Sequence, residues 1–324
     1  MCTAITLKTK DHYFGRNLDL EYSFSETVTI TPRNYPLPFR RKETLDSHYA
    51  IIGIAYVPDN YPLYYDATNE KGLSMAGLNF PGEADYKTFD NTKDNVTPFE
   101  FIPWILGQCA TVNEAMTLLQ RINLLNEDYS SDLKLSPLHW ILADKHTSLT
   151  LESVPQGFRI HQNPVGVLTN NPPFDMQLFH LNNYMSLSPA APENEFSTNL
   201  NLRKYSNGMG AMGMPGDWSS QSRFVKASFV KMNSICENSE EESISQFFHI
   251  LSSVEHQRGC VDMGNHLYEI TVYSSCCNTD KGIYYYKTYE NSQITAVNMH
   301  HEDLNSSQLY SYPLRNKQQI YREN

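Results

Sequence analysis

Met1-Cys2-Thr3-Ala4-Ile5-Thr6-Leu7-Lys8 opens the chain with a cysteine directly behind the initiator methionine. Small second residues permit trimming of that methionine, which would leave a thiol and a free α-amine on one residue. An α-amine has a reference pKa near ~8 and can act as a base close to neutral pH, so nucleophile and base would be one residue. The following residues alternate, Ala4 and Thr6 on one side and Thr3, Ile5 and Leu7 on the other, which predicts a strand headed by Cys2. A strand fixes its first atom better than a frayed tail does. By itself the stretch also fits a chance cysteine in a floppy end, so the rest of the chain must decide.

Working outward, Lys10-Asp11 reads as a turn and residues 12–19 as a second strand returning beside the first. That return brings Arg16 and Asp19 towards Cys2; the competing reading is a solvated ion pair at a strand end. Further strands are expected at 27–31, 49–57 and 73–80, the middle one a nearly unbroken apolar run from Ala50 to Ala55 suited to a sheet's buried centre. Asn79 closes the third of these, just ahead of Pro81-Gly82. Thr97-Pro98-Phe99-Glu100 and Thr111-Val112-Asn113-Glu114 are helix starts. They predict a helix over 99–107 and another with Ala115, Leu118, Leu119 and Ile122 on one stripe, the two covering one sheet face.

Strands at 138–143, 148–154, 157–161 and 166–170 read as a meander forming a second sheet, stopped by Pro172-Pro173. A helix is expected over 174–187, and 188–216 is a long polar surface excursion. From Ser219 two helices, one with Phe224, Ala227, Ser228 and Lys231, the other with Ile244, Phe247, Phe248, Ile250 and Leu251, cover the other face. Strands at 267–274, 282–289 and 292–299 finish the chain, the last two as a hairpin. This order implies an α+β fold of four layers, two stacked antiparallel sheets between helical layers, with a three-layer α+β arrangement as the alternative.

With 324 residues, 40% apolar and 12% aromatic, the chain can build a sizeable core, and residues 1–324 read as one large domain. Its net charge of −11 argues against a nucleic-acid or anionic-membrane partner, so an anionic substrate would need local arginines. Cys2, Cys109, Cys236, Cys260, Cys276 and Cys277 show neither disulfide-scaffold density nor a C-x-x-C metal pair; free thiols in a reducing cytoplasm fit, with no metal site. No charged leader precedes an apolar core, and no apolar run approaches the ~18 residues of a membrane helix.

If Cys2 attacks an amide carbonyl, negative charge develops on its oxygen, and fixed N–H donors there are each worth about 3 kcal/mol of barrier. Asn79 and Asn170, both closing strands, suit that task, or they are ordinary turn-capping residues. Arg16 would lower the thiol pKa, and Asp19 is the nearest carboxylate to orient the amine. His139 beside Trp140 reads as a satisfied core histidine and Cys109 as packed inside a helix. Cys276 and Cys277 read as buried thiols on opposite faces of a strand, and Tyr284-Tyr285-Tyr286 as strand packing.

Met1-Cys2-Thr3, Phe14-Gly15-Arg16-Asn17-Leu18-Asp19, Tyr61 to Asp66, Asn69 to Leu73, Ala76 to Phe80, Val167 to Pro172, Met214 to Asp217 and Ser222-Arg223-Phe224 together resemble the choloylglycine hydrolases. The likeness is narrower still to the conjugated bile salt hydrolases of intestinal lactic-acid bacteria, and it runs to about Met299. The resemblance implies the αββα sandwich of N-terminal-nucleophile hydrolases, with Cys2 as the nucleophile freed by loss of Met1. Arg16 and Asp19 would hold the thiol and amine, Asn79 and Asn170 would lie at the oxyanion and leaving amine, and Arg223 would be a further active-site arginine. Ser74 stands where relatives commonly have Gly, and Asn79 where penicillin V acylases tend to have Tyr. The implied substrate is a glycine- or taurine-conjugated bile salt, with no cofactor and a homotetrameric assembly. The steroid would lie in an apolar trough from Leu18, Leu20, Phe24, residues 57–65 and residues 133–138, starting at Leu133. The alternatives are penicillin V or acyl-homoserine-lactone hydrolysis by the same residues, and a binding protein for amphipathic anions.

Overall fold

The computed structural model describes residues 1–324. Strands β1 (Cys2–Lys8) and β2 (His12–Leu20) form the expected antiparallel hairpin, with Cys2 opposite Leu18 and Ala4 opposite Arg16. Both are buried almost throughout, because the hairpin lies inside a six-stranded sheet. Val167–Leu168 flanks β1 on one side; Ile270–Asn278 flanks β2 on the other, followed by Ile283–Thr288 and Asn291–Asn298. Gly15 makes the β2 contact possible, since a Cβ there would lie 2.0 Å from the Ser275 carbonyl oxygen. Gly15→Ala is therefore expected to cost roughly 3 kcal/mol in urea unfolding, as overpacking against backbone does. An unchanged midpoint would mean that the two strands can part without loss.

The other sheet holds eight strands, among them β3 (Thr27–Thr31), β4 (Ile51–Tyr56), β5 (Leu63–Asn69) and β6 (Ser74–Asn79). Here the expected division of strands is corrected. Leu138–Ala143, Ser148–Val154 and Gly157–Gln162 do not found a second sheet but extend this one from β6, with Ala76 opposite Ile141. Val167–Leu168, the last of the supposed meander, crosses instead to β1. Hydrophobic alternation tells which faces are buried but not which partner lies alongside.

Between the halves of that sheet, α1 (Phe101–Gln108) and α2 (Val112–Leu119) cover its outer face. Thr97 N–H donates to the Glu100 carboxylate at 3.0 Å, and Thr111 Oγ1 accepts from Glu114 N–H at 3.2 Å, so both helix starts are capped as the sequence predicts. Ile122 lies not on the α2 stripe but in a short strand parallel to Asp94–Val96. Cys109 is buried immediately beyond α1 rather than within it. The helix expected over 174–187 is shorter, α3 (Phe174–His180) running into a 3₁₀ turn at Leu181–Tyr184. Helices α4 (Ser220–Asn233) and α5 (Glu240–Ser252) cover the six-stranded sheet, begun by the Ser219 and Ser239 hydroxyls.

The layers thus run α, β, β, α. One core cluster joins the two sheets and the α4/α5 layer through Ile5, Phe14, Ile52, Leu78, Phe224 and Phe247; a second fills the space under α1 and α2 around Trp104, Trp140 and Met75. No helix is long and apolar enough to cross a membrane. The effect of this stacking is to bring the first residue of β1, the end of β6 and the start of α4 to one place.

Candidate active site

Cys2 is 3% exposed, and its backbone is fixed at both its N–H and its carbonyl. Its N–H donates to Asn170 Oδ1 at 2.9 Å, and its carbonyl accepts from Arg223 Nη1 at 2.6 Å. The same guanidinium, on the first turn of α4, also donates to Thr3 Oγ1 at 2.6 Å, to Asn170 Oδ1 at 2.7 Å and to the Trp218 carbonyl at 2.9 Å. Arg223 therefore ties α4, β1 and the turn after Leu168 into one unit.

Asp19 closes the other side. Its Oδ1 accepts from the Thr271 hydroxyl at 2.6 Å, while Oδ2 lies 3.9 Å from Arg223 Nη1 and 3.7 Å from His256 Nε2. The Met1 ammonium donates to the Asp19 carbonyl at 2.7 Å and pairs with the Glu269 carboxylate, so methionine still caps the Cys2 nitrogen.

Arg16 enters from β2, donating through Nη1 to the carbonyls of Tyr65 (3.0 Å) and Gly77 (2.5 Å). Its Nη2 is buried without a partner. Burial alone would weaken this cation, but Cys2, Tyr273, Asp66 and Asp19 hold its pKa above the ordinary value. Asp66 accepts from the hydroxyls of Tyr273 (2.7 Å) and Tyr284 (2.5 Å), which explains part of the Tyr284-Tyr285-Tyr286 run.

Asn79 lines the cavity from the end of β6 and turns its main chain towards Asn170. Phe80 N–H donates to the Pro137 carbonyl, so the alternation of an antiparallel ladder turns the Asn79 N–H and C=O the other way. Its carbonyl there accepts from Asn170 Nδ2 at 2.7 Å, which puts its N–H on the same side. Cys2, Arg16, Asp19, Asn79, Asn170 and Arg223 are thus one cluster. Ser74 is remote from it, its hydroxyl 2.8 Å from that of Thr68.

A mainly apolar cavity of about 300 Å³ opens onto Cys2 and Arg16. Leu18, Leu20 and Phe24 form one wall with Tyr56, Leu63 and Tyr65; Leu133, Leu135 and Leu138 form another. The sequence left out Tyr56, Pro98, Phe99, Ile102, Tyr129 and Trp140, which also line the cavity. The capping motif locates the start of α1 but not its orientation over the trough. Thr3, Thr271, His256 and Glu269 were likewise missed, being isolated polar residues without a local pattern.

Burial keeps His256 from protonating until about pH 4, with Asp19 opposing that shift and Arg223 reinforcing it. His12, buried far from the cavity, is lowered to about 4 by burial and by Lys8. Between ~6.5 and ~4 the unfolded chain then binds more protons than the native one, so stability should fall as pH drops through that window. Urea unfolding across this range should show a shallower loss in His12→Asn, and an equal slope would contradict the assignment.

Four layers in the order α, β, β, α, with a cysteine heading an inner strand, define the N-terminal-nucleophile hydrolase fold. The chain belongs to the choloylglycine hydrolase family of linear amide C–N hydrolases, whose model matches residues 2–312. It is 58% identical to a bile salt hydrolase/transferase of Lactiplantibacillus plantarum, over 100% of both chains. It is 36% identical to one from Clostridium perfringens, over 96% of each. The crystal structure of the C2A mutant of conjugated bile acid hydrolase from Clostridium perfringens superposes with a TM-score of 0.93 at 35% identity, covering 100% of both chains. A penicillin V acylase from Agrobacterium tumefaciens shares the fold, with a TM-score of 0.75 at 18% identity over 96% of this chain and 90% of that one.

Proposed function

We propose that this enzyme cleaves the amide bond between a bile acid and glycine or taurine, using Cys2 once Met1 has been removed. The observation that carries the reading is the Cys2 nitrogen held by Asn170, at the inner end of an apolar trough, with a buried arginine lining the same space. The freed amine takes the thiol proton, and the sulfur attacks the carbonyl carbon to form a tetrahedral intermediate. Negative charge on its oxygen meets the Asn79 N–H, and Asn170 Nδ2 if it leaves the Asn79 carbonyl. The amine then gives its proton to the departing glycine or taurine nitrogen as the C–N bond breaks, leaving a thioester. Water, deprotonated by the same amine, attacks that thioester; the thiolate leaves and regains a proton. Asp19, Arg223 and Asn170 orient the amine, and no cofactor enters any step.

Substrate choice rests on the trough, whose leucine and aromatic walls suit a rigid steroid. Purified enzyme should turn over glycocholate and taurocholate and leave penicillin V largely intact. Preference for penicillin V would transfer the reading to the acylase alternative, and binding of bile salts without turnover to the binding-protein alternative.

The same reading takes residues 1–324 as one domain, gives the enzyme a cytoplasmic location in keeping with six free cysteines, and makes it a homotetramer. Phe196, Leu200, Leu202 and Tyr205 on the 188–216 excursion are at least half exposed, which favours self-association through that segment. Light scattering should give four times the chain mass; a monomer would contradict the assembly but not the chemistry.

A further inference from the structure

Behind Asn170 lies a buried pair that none of these steps uses. His139 and Glu152 sit on neighbouring strands, both with 0% exposure. The His139 ring stacks on Phe80, with centroids 4.2 Å apart and planes within 6° of parallel. Its Nδ1 is 3.2 Å from Glu152 Oε1, and its Nε2 is 2.9 Å from the carbonyl of Thr169, the residue before Asn170.

A carbonyl only accepts, and so does an ionised carboxylate. A neutral imidazole has one N–H, so it would satisfy one of these groups and turn a lone pair on the other. Only the doubly protonated ring satisfies both, with Glu152 as its buried counter-charge. Burial pushes the Glu152 carboxyl up, yet the His139 ring, the bond from the Phe174 N–H and the His161 ring 3.4 Å from Oε2 hold it down at about 2. The rest of the Asn170 backbone is pinned as well. Ser220 Oγ accepts from its N–H at 2.8 Å, and Gln177 Nε2 donates to its carbonyl at 2.5 Å. The Thr169 carbonyl is the third anchor, and His139 holds it.

We propose that His139 is a positioning residue for Asn170, an imidazolium whose Nε2 proton fixes the Thr169 carbonyl and thereby the side chain that receives the Cys2 nitrogen. The inference rests on the role given to Asn170 above. Without it, the Thr169–Asn170 peptide is held only through its N–H by Ser220, and the amine loses part of its orientation. Leu138 and Trp140 line the trough from His139's own strand, but they alternate with it and face the other side of the sheet, so the lining is kept.

Two measurements test this. In ¹⁵N-histidine-labelled wild-type enzyme at neutral pH, the ring in contact with Phe80 should show both nitrogens protonated; a neutral-tautomer signature overturns the proposal, whether or not any variant folds. His139→Gln should lower kcat on the order of 10- to 100-fold with KM nearly unchanged, as small misplacement of a reacting group does. Parental kcat, or a loss confined to KM, overturns it. Asn170→Ala separates the two levels. If that variant is impaired while His139→Gln is not, only the role of His139 fails; if Asn170→Ala keeps full kcat, the reading of the site fails and takes this inference with it.

Discussion

Cys2→Ala is expected to lower turnover of conjugated bile salts by at least about 10⁴-fold, the scale on which loss of a nucleophile acts. Binding should survive, because affinity for the steroid comes from apolar burial in a trough of which Cys2 forms only the inner end. The fold should survive too: Cys2 donates through its backbone N–H and accepts through its carbonyl, and both remain in the alanine variant. Calorimetry with glycocholate should therefore give a normal isotherm with no product formed. Turnover near the parental rate would remove Cys2 from the chemistry altogether.

Arg223→Met should have the largest effect on stability, about 3–5 kcal/mol. The side chain is 1% exposed and donates to four acceptors, the Cys2 and Trp218 carbonyls, Thr3 Oγ1 and Asn170 Oδ1. It is also the nearest full cation to the unpaired oxygen of Asp19. Methionine fills the space but leaves those acceptors bare and the carboxylate uncompensated. Activity should fall with stability even at low temperature, since Asn170 and Cys2 lose a shared anchor. A variant with parental urea midpoint and slower turnover would show that the contacts matter for chemistry alone.

What the sequence could reveal depended on how local the signal was. Alternation and the Lys10-Asp11 turn fixed the β1–β2 hairpin and so placed Arg16 and Asp19 beside Cys2, because an antiparallel return dictates its own register. Helix starts at Thr97, Thr111 and Ser219 likewise carry their caps within a few residues. The pairing of β6 with Leu138–Ala143 spans two intervening helices, and that of β2 with Ile270–Asn278 spans most of the chain; no window of sequence holds either partner choice. Leu63–Asn69 escaped notice because its polar residues Asp66, Thr68 and Asn69 point to buried partners, and Tyr310–Pro313 because a proline closes that edge strand. The polar shell of Thr271, His256 and Glu269 assembles only when the C-terminal strands dock beside β2.

The most direct measurement is the intact mass of a fully active preparation, taken before and after one equivalent of a thiol reagent abolishes turnover. A chain lighter by one methionine, alkylated once and at Cys2, is the predicted result. Full activity in molecules that all retain Met1 would contradict it, because the Cys2 nitrogen would then be a peptide nitrogen whose lone pair is delocalised into the carbonyl and cannot take a proton.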